Sequence, residues 1–130
     1  MIVVDATSVV ELLLQTPVAD RIAERIARER NRVHAPQLVD VESINALRLL
    51  VFRREVQADR ADLAVLALET LSLRRWSHRK LRPRIWALRH NVSACDATYV
   101  ALAERLGCRV LTRDGPLSRT PGLEDRFELI

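Results

Sequence analysis

The sequence predicts an α/β fold, a single α/β/α sandwich with a mainly parallel central sheet. Three observations predict it. Short strand-like runs alternate with longer stretches of helical periodicity, the order expected of a sheet covered by crossover helices. The first run, Ile2, Val3 and Val4, is continuously apolar and β-branched rather than alternating, the mark of a strand buried on both faces. The chain has 130 residues with a hydrophobic share of 48%, which is enough for one core and too little for a second, so residues 1–130 are read as one domain.

The elements follow in order. After the first strand, which ends at Asp5, the period changes from Thr7, and Val9, Val10, Leu12, Leu13 and Leu14 form a short helix. Pro17 separates it from a second helix over 18–30, where Ile22, Ala23 and Ile26 share one face and Asn31 closes the element. Val33 and His34 make a brief strand. Pro36 then opens a long helix whose expected apolar positions are Leu38, Val41, Ile44, Leu47 and Val51. Residues 59–71 are helical and 71–76 strand-like. Residues 93–106 form a strongly patterned helix that ends at Gly107, with strands at 108–112 and 127–130.

Composition excludes several classes. With glycine only at 107, 115 and 122, neither a dinucleotide fingerprint nor a phosphate-binding P-loop can be written. Cys95 and Cys108 are too far apart for a Cys-x-x-Cys pair and read as buried free thiols in a reducing cytoplasm. The longest uncharged stretch, 12–19, is far shorter than a membrane span, and no basic leader precedes the first strand, so no membrane or export segment is expected.

Ligands of open parallel sheets bind beyond the carboxyl ends of the strands, which directs attention to acids at those ends. Asp5 directly follows the first strand, and Asp114 follows the 108–112 strand after Arg113. Glu42 lies in the early turns of the long helix and Asp96 in the first turn of the helix at 93. Each has a structural alternative. Asp5 suits a helix cap, Ser93 to Asp96 spells a capping box, Asp114-Gly115 suits a turn, and Glu42 suits a solvated helix position. Their convergence is what points to chemistry: two carboxylates 5 Å apart at an effective dielectric near 20 repel by about 3 kcal/mol. A hard divalent ion such as Mg²⁺ or Mn²⁺ would offset that, whereas zinc would call for His or Cys at positions that have none.

At these residues the chain resembles the PIN-domain ribonucleases, and more closely the VapC-type toxins of bacterial toxin–antitoxin pairs. The likeness rests on four blocks in order: Val3-Val4-Asp5-Ala6-Thr7-Ser8; the Pro36 helix with Glu42 and Asn45; residues 93–103 from Ser93 through Asp96; and Leu111-Thr112-Arg113-Asp114 with Leu117. The resemblance implies an Mg²⁺- or Mn²⁺-dependent endoribonuclease. Asp5, Glu42, Asp96 and Asp114 would be its catalytic, metal-binding carboxylates, and Thr112 and Asn45 would support them by hydrogen bonding. It further implies a homodimer, an RNA substrate and a cognate antitoxin that blocks the crevice.

The net charge of +4 and the sequence pI near 10.0 hide a one-signed segment over 74–90, with no acid among its cations. Arg74, Arg75, Arg79, Lys80, Arg82 and Arg84 are the expected RNA-binding residues, since guanidinium groups match phosphate. Trp76 and Trp86 offer stacking faces; alternatively Trp86, Ile85 and Leu88 are core residues of a helix with solvated arginines outside. Other readings are a PIN nuclease of RNA maturation or decay without an antitoxin and a non-catalytic RNA-binding module. A phosphoryl-acceptor domain would need a Lys at a strand end, and the only lysine, Lys80, lies in the cationic run.

Overall fold

The computed structural model describes residues 1–30 and 32–130, so the expected helix closure at Asn31 lies outside the described residues. Five strands form one sheet in the order β3-β2-β1-β4-β5, every neighbouring pair parallel. They are β1 (Ile2–Val4), β2 (Val33–Pro36), β3 (Arg74–Trp76), β4 (Val110–Thr112) and β5 (Phe127–Leu129). β1 lies at the centre. Val3 pairs with His34 on one side and Val110 on the other, and Val4 with Leu111. With both edges taken and helices over the sheet, all three β1 residues are buried, as a continuous apolar run requires.

The helices are α1 (Ala6–Leu13), α2 (Ala19–Ala27), α3 (Leu38–Phe52), α4 (Ala58–Thr70), α5 (Arg82–Ala87), α6 (Ala94–Leu106) and the short α7 (Gly115–Ser118). α6 packs over β1 and β2, and its run from Ala97 to Ala103 is buried throughout. Ser93 caps its start by accepting from Asp96 N, and Gly107 ends it in the left-handed conformation at φ +65°, which a side chain there would strain. α1 packs against α2, α3, α4 and β4. A second apolar cluster of Val10, Leu14, Leu47 and Ala64 joins α1, α3 and α4.

Strand order explains where the crevice falls. The chain steps outward from β1 to β2 to β3 and then returns to place β4 on the other flank of β1. The connections leaving β1 and β4 therefore diverge, and a cleft opens beyond their carboxyl ends.

Several expectations are corrected. Pro36 closes β2 rather than opening the helix, which starts at Leu38. The strip of α3 that faces inward is Val39, Ser43 and Leu47, while Val41, 66% exposed, and Ile44 point outward. α3 is apolar on most sides, so the neighbouring α1 and α4, not its own periodicity, select the buried strip. Cys95 is exposed and Cys108 half-buried, and both are free thiols rather than buried ones. On α5 and just past it Ile85 and Leu88 pack inward, but Trp86 does not: it is 69% exposed.

Candidate active site

Asp5 is the centre of the site. It ends β1, is 4% exposed, and its backbone N–H still continues the sheet by donating to the Leu111 carbonyl at 3.2 Å. Its carboxylate caps α1: Oδ1 accepts from Ser8 N at 2.9 Å, and Thr7 Oγ1 lies 2.8 Å from both oxygens. Oδ2 also accepts from Thr112 Oγ1 at 2.5 Å, across the β1–β4 seam. Burial pushes the Asp5 carboxyl above its ordinary value, and these donors pull it only part of the way back. The cap and the site are thus one arrangement, in which a charge is buried among donors fixed in advance.

The other acids reach the same cleft from three further elements. Asp114 N donates to Thr112 Oγ1 at 2.9 Å, and Asp114 Oδ1 caps α7 by accepting from Leu117 N at 2.8 Å. Asp96 stands in the first turn of α6, where Ser93 Oγ donates to its Oδ2 at 2.7 Å. Glu42 projects from α3 and accepts from the hydroxyl of the buried Tyr99. Asp5, Glu42, Asp96 and Asp114 together line one cavity of about 230 Å³, with Asn45, Thr7 and Tyr99 also on its wall. All four acids expected to converge therefore do so.

Their electrostatics are coupled. Burial raises the Glu42 carboxyl, Tyr99 and Cys95 lower it by hydrogen bonding, and the charges of Asp96 and Asp5 raise it again. Tyr99 is pushed well above the ordinary phenol range by burial and by its bond to Glu42, so it remains a donor at any working pH. Partial desolvation, with Glu42 and Asp96 alongside, holds the Cys95 thiol up as well, and it stays neutral rather than a thiolate. As oriented here each carboxylate is turned to a protein donor. Among the described residues no three His, Cys, Asp or Glu side chains are arranged to hold an ion.

A family model described as PIN domain matches residues 2–123. The chain belongs to the PIN-domain family. This PIN domain is 38% identical to "Ribonuclease VapC12" of Mycobacterium tuberculosis over all of its own length and 99% of that protein. It is 42% identical to "Ribonuclease VapC9" of the same organism over 92% of its length and 91% of that one. Among solved structures, VapBC2 from Rickettsia felis, bound to a DNA fragment from its promoter, superposes with a TM-score of 0.70 at 14% identity. That match covers 99% of this chain and 98% of the other, and it speaks for the fold. The expected family and the expected α/β sandwich are both borne out.

The cationic segment of this PIN domain is less uniform than its sequence. Arg75 is held by Asp40 at 2.8 and 2.9 Å and by the Leu68 carbonyl at 3.0 Å. Arg84 makes a bidentate pair with Glu104 at 2.6 and 2.9 Å. Arg74 lies over the Trp76 ring, 4.8 Å from its centroid, and Arg82 Nε donates to the Arg79 carbonyl at 3.2 Å. Arg79 and Lys80 line a separate cavity beside Trp76. None of the six lines the acidic cavity. Two residues that do, Thr7 and Tyr99, were not singled out as site residues from sequence. Thr7 stands two positions after Asp5, and Tyr99 follows Asp96 by three, on the same helical face.

Proposed function

We propose that this chain is a metal-dependent endoribonuclease that hydrolyses RNA phosphodiester bonds, the toxin of a VapBC-type pair. The observation that carries the reading is the meeting of four carboxylates in one cleft at the switch point of the sheet, one of them buried against its own electrostatic preference. Full-length similarity to proteins named ribonuclease supports the reaction, and the VapBC name of the structural neighbour supports an antitoxin partner. A homodimer is part of the same proposal. No helix among the described residues is long and apolar enough to cross a membrane.

The donor chemistry of these residues suits a hard divalent ion, although the carboxylates would have to turn toward it from the protein donors they now face. Every acid at the cleft is an oxygen donor, and Asp5 and Glu42, both raised by burial, gain from a nearby cation that offsets their charge. Asp5, Glu42, Asp96 and Asp114 would hold Mg²⁺ or Mn²⁺, which supplies Lewis acidity toward water and phosphate oxygens. The chain does the positioning. Ser8, Thr7 and Thr112 fix the Asp5 carboxylate, Tyr99 fixes Glu42, and Thr112 ties the Asp114 backbone to the same point. Asp96 Oδ1 and Asp114 Oδ2 have no hydrogen-bond partner among the described residues, so either can accept the proton of the attacking water. Asn45 stands exposed on the cavity rim, where its Oδ1 accepts from Arg48 Nε at 3.3 Å; contrary to expectation it bonds none of the four acids among the described residues.

Purified protein incubated with structured RNA and Mg²⁺ or Mn²⁺, beside Asp5→Asn and Asp96→Asn, tests the reading. Cleavage lost in both variants and in EDTA is expected. Cleavage that survives both substitutions, or chelation, overturns it.

A further inference from the structure

We propose that Trp86 and Arg89 form a stacking platform that takes one unpaired nucleobase of the RNA strand beside the acidic crevice; this rests on the ribonuclease reading above. Trp86, 69% exposed, is the larger side chain of the two exposed aromatics among the described residues, the other being Phe52, and it sits on a short helix where Ile85 and, just past it, Leu88 turn to the core. Inward packing by those two fixes the helix and forces the indole outward, where its apolar area gains nothing in the isolated chain. The Arg89 guanidinium carbon lies 4.8 Å from the ring centroid. Arginine thus lies over the indole while most of the side chain stays open to solvent.

The surroundings select the occupant. A cavity of about 450 Å³ is lined by Arg82, Trp86 and Arg89 from α5 and its end and by Val92, Ser93 and Ala94 at the start of α6. Ser93 also bonds Asp96, so the cavity and the acidic crevice share the first turn of α6. Among the described residues neither Arg82 nor Arg89 has a carboxylate partner, and no acid lines the cavity. An apolar protein segment would leave those two charges uncompensated. A nucleotide uses everything present: its base stacks on the indole and its phosphate meets the guanidinium groups. Paired A-form RNA keeps its base faces stacked, so the platform requires an unpaired base.

The test is equilibrium binding of the full chain in EDTA, with single-stranded and blunt duplex RNA oligonucleotides as probes. Trp86→Ala is expected to weaken single-strand binding about 5- to 150-fold, the range of one lost base stack, with duplex binding unchanged and Trp86→Phe restoring most of the loss. In a Trp76→Phe background Trp86 is the sole tryptophan, and its fluorescence should be quenched by the single strand. If the unaltered chain binds and cleaves RNA but Trp86→Ala binds equally well, the platform falls and the ribonuclease reading stands. Loss of binding to a protein partner with RNA affinity intact overturns the platform in favour of a protein contact. If the unaltered chain neither binds nor cleaves RNA, both readings fall.

Discussion

Thr112 Oγ1 donates to Asp5 Oδ2 at 2.5 Å across 107 positions of sequence, and the same oxygen accepts from Asp114 N at 2.9 Å. One hydroxyl therefore sets the spacing of the two strand-end acids. Replacing Thr112 by Val keeps the shape of this buried residue but removes both bonds and leaves the Asp114 N–H short of a partner. A stability loss on the order of 1–3 kcal/mol is expected from the unmet group, together with a fall in RNA cleavage. Urea unfolding and a cleavage assay on the same preparation check it, and Thr112→Ser should recover most of both.

Asp5→Asn should inactivate the protein and stabilise it. Because burial raises the folded-state carboxyl above the unfolded one, ionisation costs stability as pH rises through that interval, and the cost persists at neutral pH. An amide removes the charge while its oxygen can still cap Ser8 N. A gain on the order of 1–2 kcal/mol is expected, as for other sites that trade stability for function. Thermal unfolding in EDTA measures it, and a melting temperature at or below that of the unaltered chain would contradict the electrostatic account.

Addition of Mg²⁺ or Mn²⁺ should raise the melting temperature of the unaltered chain. A ligand that binds only the folded state contributes about 2.7 kcal/mol at one hundred times its dissociation constant. Asp5→Asn and Asp96→Asn should show little or none of this shift. An equal shift in the variants would place the ion elsewhere.

Tyr99→Phe keeps the buried ring and removes the donor to Glu42. That bond lowers the Glu42 carboxyl, so its loss lets the value rise and the acid limb of the cleavage–pH profile moves to higher pH. A rate reduction of roughly tenfold, the low end for losing a group that orients a metal-binding carboxylate, is expected at neutral pH. A profile that falls in height without moving along the pH axis would argue against this role.

His34 predicts an acid-sensitive sheet. It is buried on β2, its Nδ1 accepts from Trp76 Nε1 at 3.1 Å, and its Nε2 has no partner among the described residues. Burial, with Arg74 nearby, lowers its folded-state value below 6.5. The unfolded chain therefore takes the proton first, and this stability is intact above about pH 6.5 and lost below it, at up to about 1.4 kcal/mol per pH unit until the folded value is reached. Urea unfolding between pH 7.5 and 5 should show the slope, and His34→Gln should flatten it.

Some of this was open to reading from the residues themselves. The buried run before Asp5, the Ser93 cap and the Gly107 stop are local features, and the chain shows them without its partners. The four acids were located because a parallel sheet directs attention to strand ends. Tyr99 was not found, since its meaning depends on Glu42, 57 positions away. The same holds for Arg75 and Arg84, which look like free cations until Asp40 and Glu104 fold against them. Trp86 looks like core because tryptophan usually is, and only the inward turn of Ile85 and Leu88 shows otherwise.

Placing β4 beside β1 has a consequence for when the acidic site is complete. Strand pairing between segments so distant is slow to form, because the intervening chain must be closed into a loop before the contact repays it. A growing chain that has reached only residue 90 carries Asp5 and Glu42 but neither Asp96 nor Asp114, and has no β4 to build against. On the ribonuclease reading, topology thus defers the hazard until the chain through β4 and Asp114 has been made, an interval in which an inhibitor can already be waiting.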